Sequence, residues 1–178
     1  MRKVVAYELL SLDGVAERPD EFITDFDDVM GDNLGRVIAT QDAVLLGRRT
    51  YDDWAAFWPT SDIEPFASFI NRVQKFVVTS TPPERGWAQT AAVKGGLAHF
   101  VTELKQQSGA DIGIHGSISL AQSLLEAGLV DELRLVIAPA VQMHGRKLFE
   151  RWGPERLSTT RSITSPTGYL LVDYEITN

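Results

Sequence analysis

The stretch Ala43-Val44-Leu45-Leu46-Gly47-Arg48-Arg49-Thr50-Tyr51-Asp52-Asp53-Trp54-Ala55-Ala56-Phe57-Trp58-Pro59 decides the architecture. An apolar run of strand length closes at Gly47, and Tyr51, Trp54 and Trp58 then repeat on one helical face until Pro59, which cannot continue a helix. The unit is strand, glycine, helix. It recurs downstream. Phe66, Phe69, Ile70 and Val73 space a helix, and Phe76-Val77-Val78 forms a β-branched strand ending at Thr79-Ser80-Thr81. Leu97, Phe100, Val101 and Leu104 space another helix, ended at Ser108-Gly109, and Ile112 to Ile114 is a strand that runs into His115-Gly116-Ser117. A helix through Leu120, Leu124 and Leu125 stops at Gly128.

Upstream, Val4 to Leu10 is an apolar run ending in the turn Ser11-Leu12-Asp13-Gly14. A helix through Val29, Leu34, Val37 and Ile38 follows Asp25, Asp27 and Asp28, whose charges suit the positive end of a helix dipole. At the carboxyl end, Leu133 to Ile137 reads as a strand. Leu157 to Thr164 and Tyr169 to Thr177, joined through Pro166-Thr167-Gly168, read as a hairpin. Strands alternating with helices predict an α/β fold: a mostly parallel sheet, helices on both faces, and antiparallel strands at the end. With 178 residues and no linker or repeat, residues 1–178 are expected to form a single domain.

Composition narrows the function classes. The formal net charge of -7 argues against a duplex-binding surface, which needs clustered Lys and Arg. The start Met1-Arg2-Lys3-Val4-Val5-Ala6-Tyr7-Glu8 meets an acid before a signal-peptide core can develop, and no apolar run approaches the roughly 20 residues that span a bilayer. The absence of cysteine excludes disulfides and thiolate chemistry and suits a reducing cytoplasm, which is the expected location. His99, His115 and His144 lie on three different elements, so no metal site is expected.

Ligands of such sheets sit at the carboxyl ends of strands. Three polar clusters fall there: Gly47-Arg48-Arg49-Thr50, Thr79-Ser80-Thr81 and His115-Gly116-Ser117. In the first, Gly47 lets the backbone turn closely, Thr50 can cap the next helix, and the arginines offer planar donors to phosphate oxygens; the alternative is a turn with solvated charges. The hydroxyls of the second can approach a ribose or its phosphate, or simply end a strand. In the third, Gly116 permits close backbone approach and Ser117 precedes a helix whose amides form an anion site, unless Ser117 or Ser119 is merely an N-cap. Trp54, Phe57 and Trp58 either stack on a flat substrate or belong to the core.

In order and spacing, five segments together resemble the dihydrofolate-reductase-like family, and are similar to the reductase domain of bifunctional riboflavin-biosynthesis enzymes. They are Ser11-Leu12-Asp13-Gly14, Leu45-Leu46-Gly47-Arg48-Arg49-Thr50-Tyr51, Lys75-Phe76-Val77-Val78-Thr79-Ser80, His115-Gly116-Ser117, and Gly128-Leu129-Val130-Asp131-Glu132-Leu133-Arg134-Leu135. The resemblance spans nearly the whole chain. It implies a three-layer fold, NADPH as cofactor and a homodimer. It also implies phosphate contacts from Gly47, Arg48, Arg49 and Thr50, a 2′-phosphate ribose near Thr79, Ser80 and Thr81, and a pyrophosphate at Gly116, Ser117 and Ile118, with His115 beside it. His115 stands where dihydrofolate reductases carry a glycine and riboflavin-pathway reductases tend to carry Glu, and in Val141-Gln142-Met143-His144-Gly145 only Gly145 remains of a usual glycine pair.

These readings predict an NADPH-dependent reductase of a small pterin- or pyrimidine-like heterocycle. The alternative is a non-catalytic NADP(H)-binding protein that senses redox state or mediates assembly. Asp13, in the turn that serves the substrate end of the resembling reductases, is the leading acid, with Asp28, Asp32 and His115 as competitors; its rival role is to hold the turn. The dimer expectation also draws on Leu133 to Ile137 and the terminal hairpin as apolar edge surface.

Overall fold

A computed structural model describes residues 1–83, 85–150 and 152–177. Its strands are β1 (Val4–Leu10), β2 (Gln41–Gly47), β3 (Gln74–Val78), β4 (Thr90–Ala92), β5 (Asp111–His115), β6 (Glu132–Ile137), β7 (Leu157–Thr164) and β8 (Leu170–Ile176). Its helices are α1 (Asp28–Ile38), α2 (Arg48–Phe57), α3 (Phe66–Arg72), α4 (Leu97–Gln106) and α5 (Ile118–Glu126). The strands form one sheet in the order β4-β3-β2-β5-β1-β6-β8-β7. The pairings from β4 through β6 are parallel, and β8 runs antiparallel to both β6 and β7.

Alternation along the buried strands sends successive side chains to opposite faces. Leu45 joins Val101, Leu104, Leu120 and Leu124 in the core under α4 and α5, while its neighbours Val44 and Leu46 pack with Tyr51, Phe66 and Ile70 from α2 and α3. Tyr7, Met30, Val37 and Tyr169 form a third cluster beneath α1. The result is the expected three layers. Asp27 caps α1, accepting from the Met30 amide at 2.9 Å, and its other oxygen holds Thr167 in the hairpin turn.

Three local expectations change. Strand β4 was not foreseen, because Thr90-Ala91-Ala92 carries no alternation; it forms because β3 needs a partner at that edge. Strand β6 is not an edge. It lies between β1 and β8 and is hydrogen-bonded on both sides, so the edges are β4 and β7, and β7 shows solvent Ser158, Thr159, Thr160 and Ser162. Thr50 does not cap α2, whose N-cap is Gly47, and Trp58 falls in a 3₁₀ turn (Trp58–Thr60) just past that helix.

Lys75 fixes β3 to α3. Its side chain is fully buried, its Nζ donates to the carbonyls of Ile70 at 2.8 Å and Val73 at 2.9 Å, and it lies 4.6 Å from the centroid of the Trp87 ring. These carbonyls at the end of α3 would otherwise lack partners, and a cation suits that end of the dipole. Burial nevertheless pushes the ammonium down to about 8. The unfolded chain keeps this proton to about 10.5 while the folded protein releases it near 8, so the unfolded state binds more protons in that window and stability rises with pH there. We predict a gain of roughly 3 kcal/mol across the window. Denaturant titrations of wild type and Lys75→Met should show this gain in the wild type and its loss in the variant.

Candidate active site

The carboxyl ends of β2 and β5 are joined by one hydrogen bond: Ser117 Oγ accepts from the Gly47 amide at 3.0 Å. To reach it, the chain leaves β5 through two left-handed residues, Gly116 at φ 59° and Ser117 at φ 54°. The glycine tolerates this freely; for Ser117 the conformation costs roughly 1–2 kcal/mol. Because its hydroxyl serves Gly47, Ser117 gives α5 no side-chain cap. The amide end of α5 therefore starts without a side-chain acceptor, and Gly116, Ser117 and Ile118 line a cavity of about 970 Å³.

The cavity lining is chemically mixed. Arg49 and Thr50 from α2 line it together with the start of α5. The aromatic rings of Trp54, Phe57, Trp58 and Phe66 line it too, and Trp54 lies beside Thr50 against Gly116. Trp54 and Trp58 meet edge-to-face at 6.0 Å, and both pack on Phe66. The aromatic spacing of α2 thus forms a cavity wall that is only partly buried, with Phe57 half exposed.

Arg48 behaves differently from Arg49. Its Nε donates to Asp52 at 2.6 Å and its Nη1 to the carbonyls of Thr81 at 3.0 Å and Pro82 at 3.1 Å. It thereby stitches the Thr79-Ser80-Thr81 segment to α2, bringing the first two clusters together just outside the cavity. Thr79 Oγ1 donates to the Thr81 carbonyl at 2.6 Å, so it shapes this turn, and Ser80 and Thr81 are exposed.

His115 lines the cavity with its ring packed on Tyr7, Phe66 and Phe69 and its Nε2 2.7 Å from Gln41 Oε1. Burial pushes it down to about 3, so it is neutral at ordinary pH and cannot act there as a cationic acid. Gly113 makes the pair possible: a Cβ there would overlap Gln41 and stand 2.9 Å from His115 Nε2.

Asp13 does not line the cavity. Its carboxylate accepts from Ser11 Oγ at 2.7 Å and from the amides of Gln142 at 2.9 Å and Met143 at 3.0 Å. The Gln142 amide and then the Ser11 hydroxyl hold its pKa down at about 2, leaving no proton to give at neutral pH. Its contacts describe the turn-holding role and not the acid role. The turn it holds, which resembling proteins build with two glycines, is made here with Met143 at φ 66° and Gly145 at φ 102°. Asp28 and Asp32 also lie outside the cavity lining.

The carboxyl the sequence reading missed is Glu8. It stands on β1, 2% exposed, lines the cavity, and its Oε1 has no hydrogen-bond partner among the described residues. Burial pushes it well above the usual carboxylate range. The signal was present as an acid inside the apolar run Val4 to Leu10.

Sheet order, layers and a cavity at the strand ends define a protein of the dihydrofolate-reductase-like class. The sequence matches the RibD C-terminal domain family over residues 2–171, and the chain belongs to that family. That family supports an oxidoreductase related to the reductase domains of riboflavin biosynthesis. It is 29% identical over 156 residues to the uncharacterized protein YyaP of Bacillus subtilis, spanning 83% of this chain and 80% of that one. Its fold matches a putative riboflavin biosynthesis protein from Shewanella sp. PV-4 with a TM-score of 0.80 at 18% identity, over 99% of both chains. It also matches a Thermotoga maritima diaminohydroxyphosphoribosylaminopyrimidine deaminase/5-amino-6-(5-phosphoribosylamino)uracil reductase with a TM-score of 0.71 at 13% identity, covering 99% of this chain and 57% of that one. Among the described residues, no helix is long and apolar enough to cross a membrane.

Two substitutions separate scaffold from chemistry here. Asp13→Asn should lower the melting temperature, by removing the charge from the bonds to Ser11, Gln142 and Met143, and leave dinucleotide affinity intact. Gly113→Ala should destabilise by about 1–3 kcal/mol through overpacking against Gln41. Thermal denaturation beside a ligand titration checks both.

Proposed function

We propose that the protein is an NADPH-dependent reductase of a small, flat heterocycle of pterin or pyrimidine type. The observation that carries this reading is one cavity lined together by the uncapped start of α5, Arg49 and a cluster of aromatic rings. A dinucleotide needs an anion site beside an apolar slot for a planar ring, and these residues fit both needs. The amides at Gly116, Ser117 and Ile118 and the guanidinium of Arg49 would hold the phosphates, with Gly47 and Thr50 beside them. Arg48, Thr79, Ser80 and Thr81 would receive the 2′-phosphate ribose. When bound, the reduced nicotinamide supplies a hydride.

The chain's own residues orient the substrate and exclude water. Trp54, Trp58 and Phe66 offer faces and edges to a planar ring, and His115, neutral and held by Gln41, presents a hydrogen-bonding imidazole without adding charge.

A homodimer is part of this proposal, since Leu12, Val141 and Met143 expose apolar side chains on adjoining turns. A monomer in light scattering at micromolar concentration would remove it.

Quenching of Trp54 and Trp58 fluorescence by NADPH and NADH tests the cofactor reading. NADPH should bind more tightly by about ten- to a hundredfold, the worth of one charge-assisted contact. Arg49→Gln should weaken both by about tenfold or more. Equal affinities refute the NADPH preference, and tight binding with no oxidation in the presence of pterins or pyrimidines selects the sensor alternative.

A further inference from the structure

A carboxyl group in the middle of a central strand is costly to bury, and the fold does nothing visible to relieve it. Glu8 lies on β1 between β5 and β6, flanked by Tyr7 and Leu9, and no salt bridge reaches it among the described residues. Three arginines line the same cavity. Arg146 is engaged by Glu17 at 2.9 Å and Arg18 by Glu21 at 2.8 Å, and Arg49, which stands beside the start of α5, makes no ion pair with Glu8. The Glu8 Oε1 atom is enclosed and unpartnered, yet the residue lines a cavity large enough for a bicyclic ring. Buried polar atoms nearly always have partners, and those that do not mark a place for one that arrives.

We propose that Glu8 is a neutral carboxylic acid that donates a hydrogen bond, and in turnover a proton, to a ring nitrogen of a heterocyclic substrate held in this cavity. This deepens the reductase reading and rests on it. The chemistry balances. As the carbon of a C=N bond accepts hydride from a reduced nicotinamide dinucleotide, the π pair moves onto nitrogen, which takes the Glu8 proton. The carboxylate left behind is reprotonated from solvent. One hydride and one proton have then been added across the bond, and the dinucleotide has been oxidised. Glu8 supplies the donor that Asp13 cannot, because Asp13 is ionised and engaged by two backbone amides. Burial pushes the Glu8 carboxyl well above the usual carboxylate range, in the direction that favours the protonated form this role needs.

The test uses quinoline and its carbon isostere naphthalene, which share one shape and differ by one ring nitrogen. Binding to the whole protein is read by tryptophan fluorescence with NADP⁺ present. Wild type should prefer quinoline by about tenfold, the worth of one good hydrogen bond. Glu8→Gln keeps a donor of the same shape and should retain most of the preference; Glu8→Leu should abolish it. Difference infrared spectroscopy gives a readout without turnover: a protonated-carboxyl stretch present in wild type, missing in Glu8→Gln, and shifted when quinoline binds. A wild type that does not discriminate, a Glu8→Leu variant that still does, or a wild-type spectrum without that band overturns the proposal. Failure of NADPH to bind would instead refute the reductase reading, since quinoline discrimination can be measured with or without the dinucleotide.

Discussion

The Ser117 hydroxyl and the Gly47 amide are 70 residues apart in sequence, and their hydrogen bond closes the carboxyl edge of the sheet. Left to local preferences, a serine before a helix accepts from that helix's own amides. Here it does not, so α5 starts uncapped. One hydrogen bond contributes about 1 kcal/mol, comparable to the left-handed cost at Ser117. The pair is near break-even. The geometry persists because α5 buries Leu120, Ala121, Leu124 and Leu125, and each large apolar side chain contributes roughly 1.5–3 kcal/mol. Packing under the helix thus maintains a strained helix start with no side-chain cap, and that start is the feature that suits an anion.

Burial governs the rest of the cavity. The same central strands that form the core also carry Glu8 and His115, and desolvation disfavours the charged form of each, pushing the acid up and the base down. The cavity therefore joins arginines (Arg18, Arg49, Arg146) and carboxylates (Glu17, Asp20, Asp53, Glu64) to the buried Glu8 and His115 and the aromatic rings. Such an interior suits a planar polar ring better than a second phosphate. The loop from Val141 to Arg146 completes one side of the site through Arg146 and Glu17, and Asp13 holds that loop in place.

Much of this was legible in the sequence. Apolar periodicity placed the parallel strands other than β4 and all five helices close to their observed spans, because it reports directly on which faces are buried. Strand β4 was not legible, since Thr90-Ala91-Ala92 owes its conformation to β3 alone. Nor was the interior place of β6, which depends on β8 returning across the 32 intervening residues 138–169 of loop and β7. Within the site, the polar clusters at strand ends were visible as residue types, whereas the division of labour between Arg48 and Arg49 depends on side-chain direction, which spacing does not encode. Asp13 was chosen because it lies in a turn at a strand end; beside Ser11, its partners are two amides 129 and 130 residues away. Glu8 was legible and was read for something else: an acid interrupting a buried strand marks a group retained against its desolvation cost.

The account stands or falls on whether a dinucleotide occupies the strand-end cavity. Backbone amide resonances followed during addition of NADPH answer this directly. The account predicts that the largest shifts fall on Gly47, Gly116, Ser117 and Ile118, with smaller ones at Ser80 and Thr81. Shifts confined to other surfaces, or none at saturating NADPH, would contradict it.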